Sequence, residues 1–290
     1  MTRPEWFKSQ PIIDFRLRPP YKDFLGLRIW DTGLRASFAG KMRVEQAPSA
    51  VHQSVDLLLA EMDALNVVIG VTNARADGRE GVGSASNETA SELQTLYPGR
   101  FRSFGSVDLN DPKWAQKADH AISSLNLIGI SIDPGFFRPV VNVDDRRTHD
   151  LADLCAQRKV PLMITLSVIA GPYVDDARPS ALDRLAEAHP KTTIIVAHAC
   201  WPYFAEATAV AFRRPNMHLV PDMYMVGFPG AREMVESING IIRDQVLFGS
   251  AYPSAPIANC IDAYWRLGLE DQAAKTLFHD NAARLLGIED

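Results

Sequence analysis

A chain of 290 residues with 47% hydrophobic and 22% charged residues can bury a large core without disulfide or metal staples. Thirty Lys+Arg against thirty-five Asp+Glu give a formal charge of −5, which argues against a nucleic-acid binder and against a purely electrostatic membrane binder. Cys155, Cys200 and Cys260 stand far apart without a CxxC, no run is long and apolar enough to span a membrane, and MTRPEWFKSQPIID lacks a secretion-type apolar stretch, so a cytoplasmic protein is expected.

The first strand is expected at PIIDFR (11–16), followed by a long loop over about 19–48. SAVHQSVDLLLAEMDALN then places Val51, Val55, Leu58, Leu59 and Met62 at helical spacing. NVVIGVT (66–72) is the second strand, and NARADGREGVGSAS (about 73–86) a second long loop. NETASELQTLY opens a helix with Asn87 as cap. FRSFGSV (101–107) and LIGISI (127–132) flank the helical DPKWAQKADHAISSLN. THDLADLCAQRK leads to VPLMITL (160–166), and PSALDRLAEAH to TTIIVAH (192–198). YFAEATAVAF precedes MHLVP (217–221), and PGAREMVESING precedes QVLFGS (245–250). A last helix is expected over about 270–287.

These strand runs are short, rich in β-branched residues and mostly without in/out alternation, as parallel strands buried on both faces are. Eight of them alternating with helices, with no linker, predict a single α/β domain over 1–290, a (β/α)8 TIM barrel. A doubly wound open sheet is the alternative, but no GxGxxG follows the first strand and no GxxxxGK[ST] occurs. Both long loops would then sit at the strand C-termini, the face on which barrel enzymes build their sites.

Candidate chemistry gathers at those strand ends. Arg16 and Arg18 share one face by strand periodicity, and Asp14 joins them if the strand stays regular. A guanidinium keeps its charge, so each needs a carboxylate, a phosphate or solvent. The pair is either an anion-capturing site or an internal salt bridge to Asp14, Asp133 or Asp222. His198 ends the sixth strand and is a general acid/base candidate, or else a structural histidine. Cys200, two residues on, is a nucleophile only if geometry pairs it with His198, and otherwise a small buried hydrophobe. Gly249 permits close backbone approach. Arg75, Asp133, Thr165, Asp222, Tyr224 and Tyr252 ring the same predicted face. His52, His120, His149, His189 and His279 fall in helical stretches and His218 begins a strand; no HxH or HExxH occurs.

In order and spacing, PIIDFRLRPP, PLMIT, IIVAHACWP, LFGSAYPSA and DNAARLLGI resemble segments of the amidohydrolase superfamily over nearly the whole chain. The branch resembled is amidohydrolase 2, which holds the aminocarboxymuconate-semialdehyde and benzoate decarboxylases and 2-pyrone-4,6-dicarboxylate lactonase. The departures are specific. The family's two first-strand metal histidines fall on Arg16 and Arg18, its strand-5 histidine on Thr165 and its strand-8 aspartate on Ala251, while His198 is retained and no lysine stands at Ile130-Ser131-Ile132. A catalytic metal needs about three protein ligands. One imidazole beside two guanidiniums does not supply them, so neither metal nor cofactor is expected.

The resemblance and the residues together imply a metal-independent hydrolase of a small carboxylated, lactone or aromatic-derived substrate. Arg16 and Arg18 would bind the anion, His198 would serve as acid/base, and Asp222 or Asp133 would orient it. Arg75, Asp133, Thr165, Tyr224 and Tyr252 would complete the pocket. A metal-independent decarboxylase or lyase is the first alternative, a non-catalytic barrel binding a small acid the second, and a metal held by Asp14, His198 and Asp222 the third. A homodimer is compatible with such a barrel.

Overall fold

The computed structural model describes residues 3–76 and 81–288. Part of the second long loop, residues 77–80, lies outside them.

Seven parallel strands follow one another around a barrel in chain order: β1 Ile12–Leu17, β2 Val67–Asn73, β3 Phe101–Ser106, β4 Ile130–Ile132, β5 Leu162–Thr165, β6 Ile194–Ala197 and β7 Met217–Val220. Helices α1 Thr32–Met42, α2 Pro48–His52 and α3 Val55–Ala64 lie between β1 and β2, and α4 Asn87–Leu96 follows β2. α5 Trp114–Ser123, α6 Arg146–Arg158, α7 Ser180–Ala188 and α8 Phe204–Arg213 follow β3 to β6 in turn. α9 Ala231–Asn239, α10 Ile257–Leu267, α11 Asp271–Lys275 and α12 Asn281–Leu286 complete the chain. Parallel strands with helical crossovers are covered on both faces, hence the nearly continuous burial along each. Inside the barrel, Ile13, Phe15, Ile69, Val71, Phe104, Met163, Ile195, Val220 and Leu247 form one apolar cluster, plugged at the strand N-termini by Ala282 and Ala283 of α12.

The eighth strand expected at 245–250 is not a regular strand, yet the segment closes the barrel. Leu247 N–H donates to Leu219 (2.9 Å) on one side. On the other, Phe15 N–H donates to Phe248 (2.8 Å), Ala251 N–H to Arg16 (2.8 Å) and Arg18 N–H to Tyr252 (2.9 Å). Just beyond the expected strand the backbone turns left-handed at Ala251 (φ 54°). Gly249 is required there: a Cβ would lie 2.5 Å from Val220 Cγ1. Asn281 Nδ2 pins the segment by donating to the carbonyls of Arg243 and Val246, each at 2.8 Å.

Three local expectations are corrected. The loop over 19–48 carries α1, capped by Asp31. The helix expected over 49–66 is broken at Gln53 (φ 50°) and restarts on Ser54 as cap. Ser86, one residue before Asn87, caps α4; Asn87 instead donates from its side chain to the Ser106 carbonyl.

Asp14 departs from regular strand geometry. Three residues of β1 oppose two of β2 between Asp14 and Leu17, a bulge that separates its side chain from those of Arg16 and Arg18. Its carboxylate accepts from Ser250 N–H (2.9 Å), Ser250 Oγ (2.5 Å) and Arg16 N–H (3.1 Å), joining β1 to the closing segment. Burial pushes the carboxyl up to about 7 from 3.8, with these donors opposing the rise. A carboxyl raised in the native state binds more protons there than when unfolded. Its contribution to stability is therefore full below about pH 4 and is lost as pH rises through 7, a swing of roughly 4 kcal/mol. Asp14→Asn is expected to flatten denaturation midpoints between pH 4 and 8; an unchanged slope would mean that another group sets the profile.

Candidate active site

At the strand C-termini a cavity of about 280 Å³ is lined by Arg16, Arg18, Arg75, Thr165 and His198 at its polar end. Leu34 and Phe38 of α1, with Ile29, Val82, Phe136, Ile169 and Met223, supply an apolar wall, and Arg28 lies at the edge. The two long loops meet over this cavity: Arg28 N–H donates to Val82 at 2.8 Å. A Cβ on Gly83 would fall 2.2 Å from the Gly26 carbonyl.

His198 arrives by a strained route. After β6 the backbone passes through three consecutive left-handed residues, His198 (φ 71°), Ala199 (φ 44°) and Cys200 (φ 59°). For residues with a Cβ each step costs of the order of 1–2 kcal/mol. Asp222 after β7 is left-handed too (φ 44°). Such strain persists where surrounding contacts over-determine a conformation, and functional sites collect it.

The turns bring imidazole and carboxylate together. Nδ1 of His198 lies 2.9 and 2.8 Å from the two oxygens of Asp222. Nε2 lies 3.2 Å from Nη2 of Arg16, whose Nε is 3.4 Å from Asp222 Oδ2. Burial, aided by the Arg16 and Arg18 charges, holds His198 below its usual range against the pull of Asp222. Tyr224 does not line the cavity. Its ring stacks on Trp201 (4.8 Å between centroids) and meets the His198 ring edge-on at 5.3 Å, so it buttresses the imidazole.

The second acidic group answers a different arginine. Asp133 accepts from Arg75 Nε at 3.0 Å and from Nη2 at 3.4 Å. Burial pushes its carboxyl up, but Arg75, Arg18 and Arg16 together outweigh this and hold it below the usual carboxylate range. Arg75 also lies 5.1 Å from the ring centre of Phe136.

Arg18 is left over. It is 2% exposed, and among the described residues its Nε and Nη2 have no hydrogen-bond partner. Burial, then the charges of Arg75 and Arg16, push it well below the usual arginine range. Among the described residues Arg16 Nη1 is likewise buried without a partner, and Thr165 Oγ1, near enough to Asp133 to help hold its carboxyl down, makes no well-aligned hydrogen bond. Unpaired buried donors are costly and uncommon in native folds. Here they belong to side chains that share one cavity wall, an arrangement that fits an anion.

A divalent cation does not fit this donor set. Among the described residues there is no group of three His, Cys, Asp or Glu side chains able to hold one. Asp14 faces Ser250, away from His198, and both nitrogens of His198 already have partners. The set Asp14, His198 and Asp222 expected under the third alternative is therefore not assembled.

One further expectation is corrected. Tyr252 does not line the cavity: its hydroxyl is 2.8 Å from Ser49 Oγ, which donates to Glu61, and its ring packs on Trp30. Tyr252→Phe should cost about 1 kcal/mol of stability and leave turnover within about twofold, as measured by denaturation and assay. Cys200 is wholly buried, its thiol pushed up by burial like those of Cys155 and Cys260. The native protein should therefore not react with thiol reagents, and Cys200→Ala should retain activity. Loss of turnover in that variant would restore the Cys–His possibility. The sequence did not mark Arg28 or the apolar wall, because neither lies on a strand.

A family model described as amidohydrolase matches residues 13–288. An uncharacterized TIM-barrel protein of Bordetella bronchiseptica is 34% identical, with TM-score 0.90 over 96% of this chain and 99% of that one. 5-Carboxyvanillate decarboxylase from Sphingomonas paucimobilis shares the fold at 14% identity and TM-score 0.67, over 97% of this chain and all of that one. A probable 2-pyrone-4,6-dicarboxylic acid hydrolase of Acinetobacter baumannii with citric acid bound does so at 11% identity and TM-score 0.59, over 81% and 89%. No curated protein matches the chain. Among the described residues no helix is long and apolar enough to cross a membrane.

Proposed function

The chain belongs to the amidohydrolase family, and on that premise we propose that it is a metal-independent hydrolase of a small carboxylated molecule with an apolar, lactone or aromatic-derived body. The observation that carries the reading is Arg18, a buried guanidinium without a partner among the described residues, beside the orphan donors of Arg16 and Thr165. A carboxylate placed there would satisfy several of these donors at once through charge-assisted bonds. The apolar wall of Leu34, Phe38 and Phe136 would take the body of the molecule. Guanidiniums stabilise negative charge developing on a reacting carbonyl, the electrostatic part of what a metal does, although they do not generate hydroxide from water. His198, oriented by Asp222, moves the proton.

A second reading, metal-independent decarboxylation, is favoured by the aromatic side of the cavity and by the resemblance to 5-carboxyvanillate decarboxylase. Both readings require anion binding.

The test is titration calorimetry of chelator-treated protein with a panel of monocyclic carboxylic acids and carboxylated lactones, followed by product analysis. Wild type should bind and turn over a member of the panel after chelation, and Arg16→Met should weaken binding about tenfold or more. Unchanged affinity in Arg16→Met would rule out the anion site. Binding without turnover of any member would favour a non-catalytic acid-binding barrel.

A further inference from the structure

We propose that His198 rests as a proton acceptor, so that chemistry here opens with a proton moving onto Nε2, as hydrolysis requires, and not with a proton delivered to a substrate carbon, as decarboxylation requires. The inference rests on the reading of His198 as the proton-transfer group and decides its first direction.

Nδ1 sits against both oxygens of Asp222, at 2.9 and 2.8 Å. A carboxylate only accepts, so Nδ1 carries a proton. Nε2 sits 3.2 Å from Arg16 Nη2. A guanidinium only donates, so Nε2 offers its lone pair. A proton on Nε2 would set two N–H groups face to face between buried atoms. A proton on Asp222 instead would remove the counter-charge 3.4 Å from Arg16 Nε. The Tyr224 ring is nearly perpendicular to the imidazole, with centroids 5.3 Å apart. Two groups of fixed hydrogen-bonding sense therefore select one neutral tautomer. Burial and the Arg16 charge act in the same direction by disfavouring imidazolium.

Arg16 also occupies the lone pair it selects. A guanidinium bonds a carboxylate about twice as strongly as a neutral acceptor. A substrate carboxylate held by Arg18 and the orphan Nη1 of Arg16 competes for Nη2 and leaves Nε2 facing the cavity. With a carboxylated ester or lactone, water then gives a proton to Nε2 while its oxygen bonds to the carbonyl carbon. The carbon–oxygen bond to the leaving oxygen breaks, and the proton on Nε2 passes to that oxygen. One water is added and nothing is oxidised or reduced. Decarboxylation would replace the departing carboxyl carbon by a proton, and His198 in this form has none on Nε2 to give.

Two-bond proton–nitrogen correlation on the intact labelled protein near neutral pH reads the tautomer directly, with His198→Gln used to assign one histidine of seven. The expected spectrum has a proton on Nδ1 of His198 and none on Nε2, and the Nε2 resonance moves when benzoate is added. A proton on Nε2, or on both nitrogens, overturns the proposal. Benzoate binding is followed separately at Arg18 Nε. If that resonance stays fixed, the anion site fails, while the ligand-free spectrum still decides the tautomer. If Arg18 responds and Nε2 does not, release of the lone pair by the anion is wrong. Carbon dioxide released from hydroxybenzoates faster than carboxylated lactones are opened would also overturn it.

Discussion

Arg18→Met should make the protein more stable and cost it its ligand. The wild-type guanidinium is buried beside Arg16 and Arg75 and has no partner among the described residues, while Asp133 is committed to Arg75 and Asp222 to His198 and Arg16. Methionine keeps much of the stem volume and removes an uncompensated charge. Replacing buried ionic groups with apolar side chains can stabilise by about 1–4 kcal/mol. In a chain of this size that corresponds to a rise in Tm of very roughly 2–10 °C. Affinity for a small carboxylate should fall about 100-fold or more, since two charge-assisted bonds of about 1.5–3 kcal/mol each are lost. Thermal denaturation and calorimetry on one preparation check both halves. A destabilised variant with unchanged affinity would show that Arg18 is structural and not the anion site.

Asp222→Asn should cost most of the turnover while leaving every side chain that lines the cavity in place. The amide presents a donor as well as an acceptor to His198 Nδ1, so the imidazole can take the tautomer with its proton on Nε2, and Arg16 Nε loses its carboxylate. In enzymes that depend on an Asp–His pair, the wrong tautomer costs about 10⁴-fold in kcat. A loss of about 10³–10⁴-fold in kcat is expected here. Breaking a buried ion pair also costs about 3–5 kcal/mol, so folding is checked by circular dichroism at low temperature, with Asp222→Glu as the variant that retains a charge. Turnover within about tenfold of wild type in well-folded Asp222→Asn would remove His198 from proton transfer, given the size of effect a tautomer error carries.

The barrel was legible because its strands are short β-branched runs, and β1, β2, β3 and β5 to β7 fall within a residue or two of those runs. α1 was missed because TGLRASFAGKM has two glycines and no clear apolar period. QVLFGS (245–250) reads as an eighth strand, and the segment does close the barrel, but only with a few backbone bonds to its neighbours and not a regular ladder. Strand ends placed Arg16, Arg18, Thr165 and His198 on one rim, and all four line the cavity. Parity failed for Asp14 because a bulge breaks the period of two, a feature that a single sequence does not announce. Tyr252 lies on the same rim, but which way its ring turns is decided by Ser49 and Trp30, contributed from the α1–α2 region. The His198–Asp222 contact needed left-handed turns at two neighbouring strand ends; Asp and His enter that region more often than most residues with a Cβ, but a single sequence does not say which of them will.

On the proposed reading, Arg16, Arg18 and Arg75 make this pocket a site for an anion and not for a divalent cation. A high-resolution crystal structure grown with a monocyclic carboxylic acid, with elemental analysis of the same chelator-free protein, tests it most directly. A carboxylate is expected between Arg16, Arg18 and Thr165, with divalent metal well below one per chain. Stoichiometric zinc or manganese held by His198, or a carboxylate bound away from both arginines, would contradict it.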